Sequence, residues 1–412
     1  MLCSCHSTLV QLGDLSRYRE TVLQSKDKNW GPAKGYYRLA IAVLPTSGAP
    51  YHQLAVIAIA DQDAFGITYL FYRALAQPEL NLSAQSNLEL HFRKTRESWD
   101  RPQSHNVKDG LFKTFQSRFV AFHAKCYSGI EFEEHRDLEV EMIHDISVTL
   151  LQKPDSSLLG KICLTNIAAE ATARERLQTK CKNYECGEPH GNECNHTCIE
   201  CLTSLHAYHS LQAFNIKLVS QLLRVLVAEL QRIKKLIESS EMDSADKLTP
   251  IVRCLLPILR QYSSWLLAEV PFLVNSNPQA LGVQLPKVQL HIVEIVQDLW
   301  RIYVDALAAL ALTYVVKSGS KSLNYLLRED EDTIGFKPFA SGIVQTRYLN
   351  TGSGKLKARS TGPQIVKEDP SEEMLYRARQ LVKEGITIAK ANVSTTPSLQ
   401  NIRLLSYAGN YS

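Results

Sequence analysis

Apolar side chains along this chain recur at helical spacing, and strand-type alternation is scarce. Leu9, Leu12 and Leu15 form one stripe; Tyr36, Tyr37, Ala40, Val43 and Leu44 form the next. Phe112, Phe115, Phe119 and Phe122 fall at i, i+3 and i+4 intervals and give one aromatic helix face, which reads as core more readily than as a platform for stacked bases. Leu218, Leu222, Leu226, Leu230, Ile233 and Ile237 form a long third stripe, and helices also fit 251–273, with a kink expected at Pro257, and 286–317. Loops are expected at 25–31, 45–50, 76–86, 99–109, 152–157, 181–201, 238–249, 274–286, 318–322 and 330–346. From Phe339 onward Gly, Ser, Thr and Pro are frequent; only 370–391 looks like another helix there, and the rest of that tail is expected to be mobile. The fold class that follows is all-α.

A repeat lies near the start. Ala33, Tyr37, Ala40 and Pro45 are followed 34 residues later by Ile67, Phe71, Ala74 and Glu79, with Pro78 beside it. A small residue, an aromatic, a small residue and a proline at this period mark tetratricopeptide helix pairs. The small residues let two helices pack closely, and the aromatic fills the gap to the next pair. Such pairs bury a continuous core when three or more are stacked. A helix from about Ser7 to Gln24 would leave bare a face that an upstream helix should cover, so the chain is expected to be truncated at its N-terminus.

Composition adds little to this picture. With 45% hydrophobic and 21% charged residues over 412 positions the chain is ordinary for a globular protein, which excludes wholesale disorder, collagen and coiled-coil rods. The net charge of +4 is too small to predict a polyanionic partner, yet it is uneven: residues 337–412 hold eleven Lys and Arg against five Asp and Glu. The N-terminus lacks the basic region and apolar core of a signal peptide. The most apolar run, Ile302 to Val316, is 15 residues long and contains Asp305, short of the about 20 residues a bilayer span needs. The chain is expected to be soluble and intracellular, with no membrane partner.

Three constellations could carry chemistry. In Leu12-Gly13-Asp14-Leu15-Ser16-Arg17-Tyr18-Arg19, helical spacing puts Arg17 one turn beyond Asp14. Gly13, which costs a helix interior about 1 kcal/mol against Ala, permits close approach by another helix. A guanidinium oriented by Asp14 beside the Tyr18 phenol is a good phosphate receptor, with two parallel N–H donors and a hydroxyl; the plain alternative is an ordinary intrahelical ion pair. Cys181, Cys186, Cys194, Cys198 and Cys201 crowd together with His190 and His196, and the Cys-x₃-Cys-x₂-Cys spacing could supply part of a zinc site. The cluster lacks the paired C-x-x-C units of a finger, so a reduced polar surface loop is the alternative. Arg347, Lys355, Lys357 and Arg359 form an acid-free stretch, and residues 91–125 carry eight Lys and Arg against three acids; either could neutralise nucleic-acid phosphates, and either could simply be solvated. Gly-x-Ser-x-Gly, Walker and His-Glu-x-x-His motifs are absent, so no enzyme activity is expected.

Gly-Asp-x-x-Arg-Tyr resembles the phosphoserine-binding helix of 14-3-3 proteins, and the longer string from Leu9 to Arg19 is still more similar to the Est-one/Smg family. These are the telomerase-associated Est proteins and the Smg adaptors of nonsense-mediated mRNA decay. Ala33, Tyr36-Tyr37, Ala40, Leu44-Pro45, Gly48, Pro50-Tyr51 and Gln53 to Val56 agree, as do Tyr72-Arg73, Leu75-Ala76 and Asn87-Leu88. Far downstream, Glu329 to Asp332 followed by Gly335-Phe336-Lys337-Pro338 resembles the family's acidic-then-Gly-Phe signature.

The resemblance implies a 14-3-3-like tetratricopeptide domain, its remainder in 1–98. Stacked helical hairpins would follow in 99–340, with a Cys-rich insert at 181–201, and a mostly flexible basic tail in 341–412. It implies a phosphopeptide groove in which Arg17 and Tyr18 contact the phosphate; a further basic ligand supplied in the family by an upstream helix has no counterpart here. The relatives that end in a metal-dependent nuclease need several carboxylates, and after Asp332 only Asp369 and four Glu remain. The implied partners are a phosphorylated protein of the decay machinery and mRNA decay factors, or telomerase RNA or telomeric DNA. The implied location is nucleus and cytoplasm, with no cofactor unless zinc sits at the insert.

Overall fold

The computed structural model describes residues 2–23, 27–79, 81–99, 110–130, 136–183, 199–239, 247–274, 287–314, 323–350, 353–360, 362 and 365–392. Among them the chain is almost wholly helical. The elements are α1 (Leu2–Val22), α2 (Gly31–Val43), α3 (Ala49–Ala60), α4 (Ala64–Leu75), α5 (Leu82–Trp99), α6 (Gly110–Tyr127), α7 (Arg136–Gln152), α8 (Ser156–Asn183), α9 (Ile199–Glu238), α10 (Pro250–Val274) and α11 (Lys287–Thr313). There follow β1 (Tyr325–Leu326), α12 (Arg328–Glu331), α13 (Gly342–Gln345), β2 (Ala358–Arg359) and α14 (Pro370–Asn392). The expected all-α class is what the structure contains, apart from one parallel pairing of two residues between β1 and β2.

Local chemistry sets the boundaries. Gly31 and Pro32 open α2, where the missing N–H of proline costs nothing. Pro45 follows the Leu44 cap and cannot continue the helix. The Asp63 carboxylate caps α4 by accepting from Gly66 N at 2.8 Å. Asp155 Oδ1 accepts from Ser157 N and Leu158 N at the start of α8. The expected loops leave 110–151 uninterrupted, yet it holds two helices, α6 and α7. The chain breaks at Gly129, with φ +69 and no room for a side chain, since a Cβ there would lie 2.9 Å from the Thr203 carbonyl carbon.

Two compact units result. The first comprises Met1–Met142, Leu164–Leu211 and Ile334–Pro338; the second comprises Ile143–Cys163, Gln212–Thr333 and Phe339–Ser412. In the first, α1 packs on α2, α3 on α4 and α5 on α6, so neighbours in sequence pair as hairpins. The repeat positions do what their sizes predict: Ala33, Tyr37 and Ala40 of α2 and Ile67, Phe71 and Ala74 of α4 are all buried. Phe115, Phe119 and Phe122 are also buried, so that stripe is core. Gly335, with φ +74, leaves only 2.7 Å between a would-be Cβ and the Pro45 carbonyl oxygen, and Phe336 lies under the Arg73 guanidinium.

In the second unit, Leu218, Leu222, Leu226, Leu230 and Ile233 of α9 are buried, and α14 packs on both α10 and α11. α9 is, among the described residues, the one helix long and apolar enough to cross a membrane, but 72% of its most apolar window is buried in the fold. Of the tail expected to be mostly mobile, residues 393–412 lie outside the described residues, and the described part departs from that expectation. The tail helix runs over Pro370–Asn392 as expected, but the stretch before it is packed too: Val344 and Tyr348 are buried. Carboxylates supply the physical reason. Arg260 meets Glu329 at 2.6 Å and Asp330 at 3.1 Å, Arg377 meets Glu329 at 2.8 Å, and Arg347 meets Glu384 at 2.6 Å, all with side chains at most 14% exposed. These pairs let a basic segment enter the core.

Candidate functional site

The Gly-Asp-x-x-Arg-Tyr string lies on α1, and its surroundings are set by one glycine. The buried face of α1 is His6, Gly13 and Glu20, at i, i+7 and i+14. A Cβ on Gly13 would come within 2.7 Å of Tyr37 Cδ1, so glycine alone lets the Tyr37 ring of α2 lie against the helix. This overturns the reading of Leu9, Leu12 and Leu15 as a core stripe: Leu15 is 64% exposed and Leu12 is exposed as well. The close approach at Gly13, rather than the leucines, chooses the face.

Tyr37 then organises the polar side. Its hydroxyl donates to Asp14 Oδ1 at 2.7 Å and accepts from Arg17 Nε at 3.4 Å, while Arg17 Nη2 donates to Asp14 Oδ1 at 3.4 Å. The Arg17 guanidinium carbon sits 4.4 Å from the centroid of the Tyr18 ring, which is 55% exposed. Burial disfavours charge on Arg17, but the hydrogen bonds from its neighbours, Tyr37 foremost, outweigh it and hold the pKa above the ordinary arginine value. Burial, then the Asp14 carboxylate, raises the Tyr37 phenol, so it stays protonated and donating. The result is a cation oriented by a carboxylate and a phenol through two long hydrogen bonds, with an exposed aromatic beside it. Such a group can meet an oxyanion with its N–H donors.

Asp14, Arg17 and Tyr18 are thus together, as the sequence predicts. Tyr37 was read only as a repeat aromatic; its polar role depends on a through-space contact. His52 of α3 was also missed. Its Nε2 accepts from Asn87 Nδ2 of α5 at 3.0 Å, and its ring stands 5.8 Å from Phe71. Burial, and then Arg17, lowers its pKa, with Asp14 partly opposing.

The other candidates lie elsewhere. Arg347 is not on a free basic strand: its Nη1 donates to the Arg260 carbonyl at 3.1 Å and to the Ser264 hydroxyl, and its Nη2 to Glu384. Lys357 is buried, where desolvation lowers its pKa, whereas Lys355 is exposed and Arg359 half-buried on β2. In the 91–125 stretch Arg93, Lys94 and Lys113 are exposed. Cys181, at the end of α8, and Cys201, at the start of α9, are buried; Cys186, His190, Cys194, His196 and Cys198 lie outside the described residues. Among the described residues no three His, Cys, Asp or Glu side chains are grouped to hold a metal.

A family model described as the Est1 DNA/RNA binding domain matches residues 33–342. The chain is 38% identical over 102 residues to the nonsense-mediated mRNA decay factor SMG7 of Arabidopsis thaliana, covering 24% of this chain and 10% of that protein. It is 30% identical over 154 residues to the factor of that name from Danio rerio, 37% of this chain and 12% of the relative. It is 30% identical over 108 residues to the telomerase-binding protein EST1A of Danio rerio, 26% and 7%. Among solved structures, the C. elegans SMG5–SMG7 complex is similar over 71% of this chain and 66% of that one, with a TM-score of 0.35 and 16% identity. The aligned segments span about a tenth of the curated relatives. Asp14, Arg17 and Tyr18 lie upstream of the matched residues 33–342.

Proposed function

We propose, since the chain belongs to the family of the Est1 DNA/RNA binding domain, that it is a non-catalytic adaptor of nonsense-mediated mRNA decay. In this role it binds a phosphorylated segment of another decay protein through Arg17 and Tyr18. The observation that carries the phosphate reading is the triangle of Asp14, Tyr37 and Arg17. Two of its three hydrogen bonds, those made by Arg17, are 3.4 Å long. The guanidinium is therefore oriented but weakly held, and can exchange neutral and carboxylate acceptors for a phosphate dianion, which makes stronger charge-assisted bonds. Its helical body would then present decay factors, in nucleus and cytoplasm. The decay role itself is supported by the identity to SMG7 factors.

The test is fluorescence anisotropy with a phosphoserine peptide on the full chain. Arg17→Glu is expected to weaken binding at least about tenfold, since a charge-assisted contact is worth about 1.5–3 kcal/mol. Equal binding by both proteins contradicts the reading. A second reading, a telomerase-associated protein that binds single-stranded DNA or RNA, is favoured by the family description and by the likeness to EST1A. The exposed Arg93, Lys94 and Lys113 would serve it. Its mark would be an affinity that falls linearly in log–log form with salt; no binding at low salt removes it.

A further inference from the structure

On α3, which packs against the Arg17 helix α1, His52 carries a ring nitrogen whose hydrogen bonding is incomplete. Asn87 Nδ2 is an amide NH₂ and can only donate, so His52 Nε2, 3.0 Å away, must be the accepting nitrogen. In the neutral imidazole this places the proton on Nδ1. That Nδ1 is buried and has no hydrogen-bond partner. A buried N–H donor without an acceptor has lost its water and gained nothing in return, a deficit that an arriving oxyanion would relieve. The charged groups that reach His52 are Arg17 and Asp14 of α1; α4 presents Phe71 to it and α5 presents Asn87. Burial, and then Arg17, disfavour charge on the ring in the free protein, a bias that a bound dianion would oppose.

We propose that His52 is a phosphate-contacting residue of this site: its Nδ1–H, oriented by Asn87, donates to the phosphate of the bound peptide, and the ring takes up a proton on binding. The inference rests on the phosphopeptide reading above. Balance is simple: no bond between heavy atoms changes, and the proton that forms the new Nε2–H bond leaves an acid in the solvent. Asn87 then turns its amide so that the oxygen accepts from the new Nε2–H, a flip within the existing contact. Peptide binding and protonation become linked, so affinity gains at acid pH a component that belongs to the protein and is separate from the phosphate's own titration near 6.

The experiment uses the 412-residue chain with ¹³Cε1-labelled histidine, and follows ring resonances against pH with and without a saturating phosphoserine peptide. His52→Gln assigns the His52 signal by its loss. In free protein the His52 midpoint is expected below the ordinary 6.5. In the complex it should rise by about one pH unit or more, which corresponds to about tenfold tighter binding by the protonated form. In parallel, His52→Gln should weaken peptide binding more at pH 6 than at pH 8. If the peptide binds and depends on Arg17 but the His52 midpoint stays in place, this inference is overturned and the phosphopeptide reading stands. If the wild-type chain does not bind the peptide at all, the reading fails and the inference with it.

Discussion

At the scale of single residues, the site depends on what Gly13 and Tyr37 do for Arg17. Replacing Gly13 by Ala puts a methyl group 2.7 Å from Tyr37 Cδ1, against ring atoms backed by buried Ala33 and Ile57. Overpacking of this kind costs about 1–3 kcal/mol, to be read as a lower thermal midpoint with a matching loss of phosphopeptide affinity. Tyr37→Phe removes the hydroxyl that bonds Asp14 at 2.7 Å and Arg17 at 3.4 Å while keeping the ring. It should leave the midpoint within about 1.5 kcal/mol of wild type, the net worth of a hydrogen bond. It should still weaken peptide binding, because Arg17 loses its anchor. Unchanged affinity would mean that Arg17 needs no orienting group. The Asp14, Arg17 and Tyr18 set was legible in the sequence because all three lie within one and a half turns of one helix. Tyr37 and His52 were not, because they come from α2 and α3, and nothing in spacing along the chain says which polar atom of a packed ring faces a neighbour.

At the scale of elements, helical periodicity located core residues of α2, α6 and α9, and the 34-residue repeat located those of α4. Periodicity failed on α1, where the buried positions are His6, Gly13 and Glu20 and Val10 is the apolar side chain packed, half-buried, on the α2 and α3 core residues. It also missed the break between α6 and α7, which one left-handed glycine makes. Buried histidines give the packed helices of the first unit a pH dependence. Burial lowers His91 of α5 to about 4 and His123 of α6 to about 3, against 6.5 in the unfolded chain. Their folded pKa values are depressed, so the stability tied to their neutrality is present above pH 6.5 and is lost as pH falls towards those values. Urea unfolding midpoints should therefore decline between pH 6.5 and 4, with each imidazole adding a slope of up to about 1.4 kcal/mol per pH unit. His91→Gln should flatten that decline by about one proton's worth; an unaltered slope contradicts the assignment.

At the scale of the whole molecule, the tail was the largest departure from what the sequence suggested. Its Gly, Ser and Thr content reads as loop, and its net positive charge reads as solvated. Neither shows that buried Glu329 awaits Arg377, or that Arg347 finds its carboxylate partner, Glu384, within the tail itself. The acidic-then-Gly-Phe signature was legible as a motif, while its job was not: Glu329 bridges two buried guanidinium groups, Arg260 and Arg377. Burial opposes ionisation of Glu329, but the two arginines outweigh it and hold its pKa down to about 2. Glu329→Gln strands buried positive charge and should cost about 3–5 kcal/mol, as removal of one partner from a buried pair does. Chemical denaturation of this variant checks it, and a loss under about 1 kcal/mol would show that the cluster is solvated. The candidate site lies within the first unit, so the proposed peptide affinity should be kept in this variant at temperatures where the chain remains folded.

The central claim, that Arg17 contacts a phosphate on a partner, is tested most directly by a double-mutant cycle. Affinities are measured for wild type and Arg17→Gln against one peptide with and without its phosphate. The account predicts that removing the phosphate hurts wild type far more than the variant, with a coupling of about 2 kcal/mol or more between the two changes. Coupling indistinguishable from zero, with both proteins equally indifferent or equally sensitive to the phosphate, would contradict it.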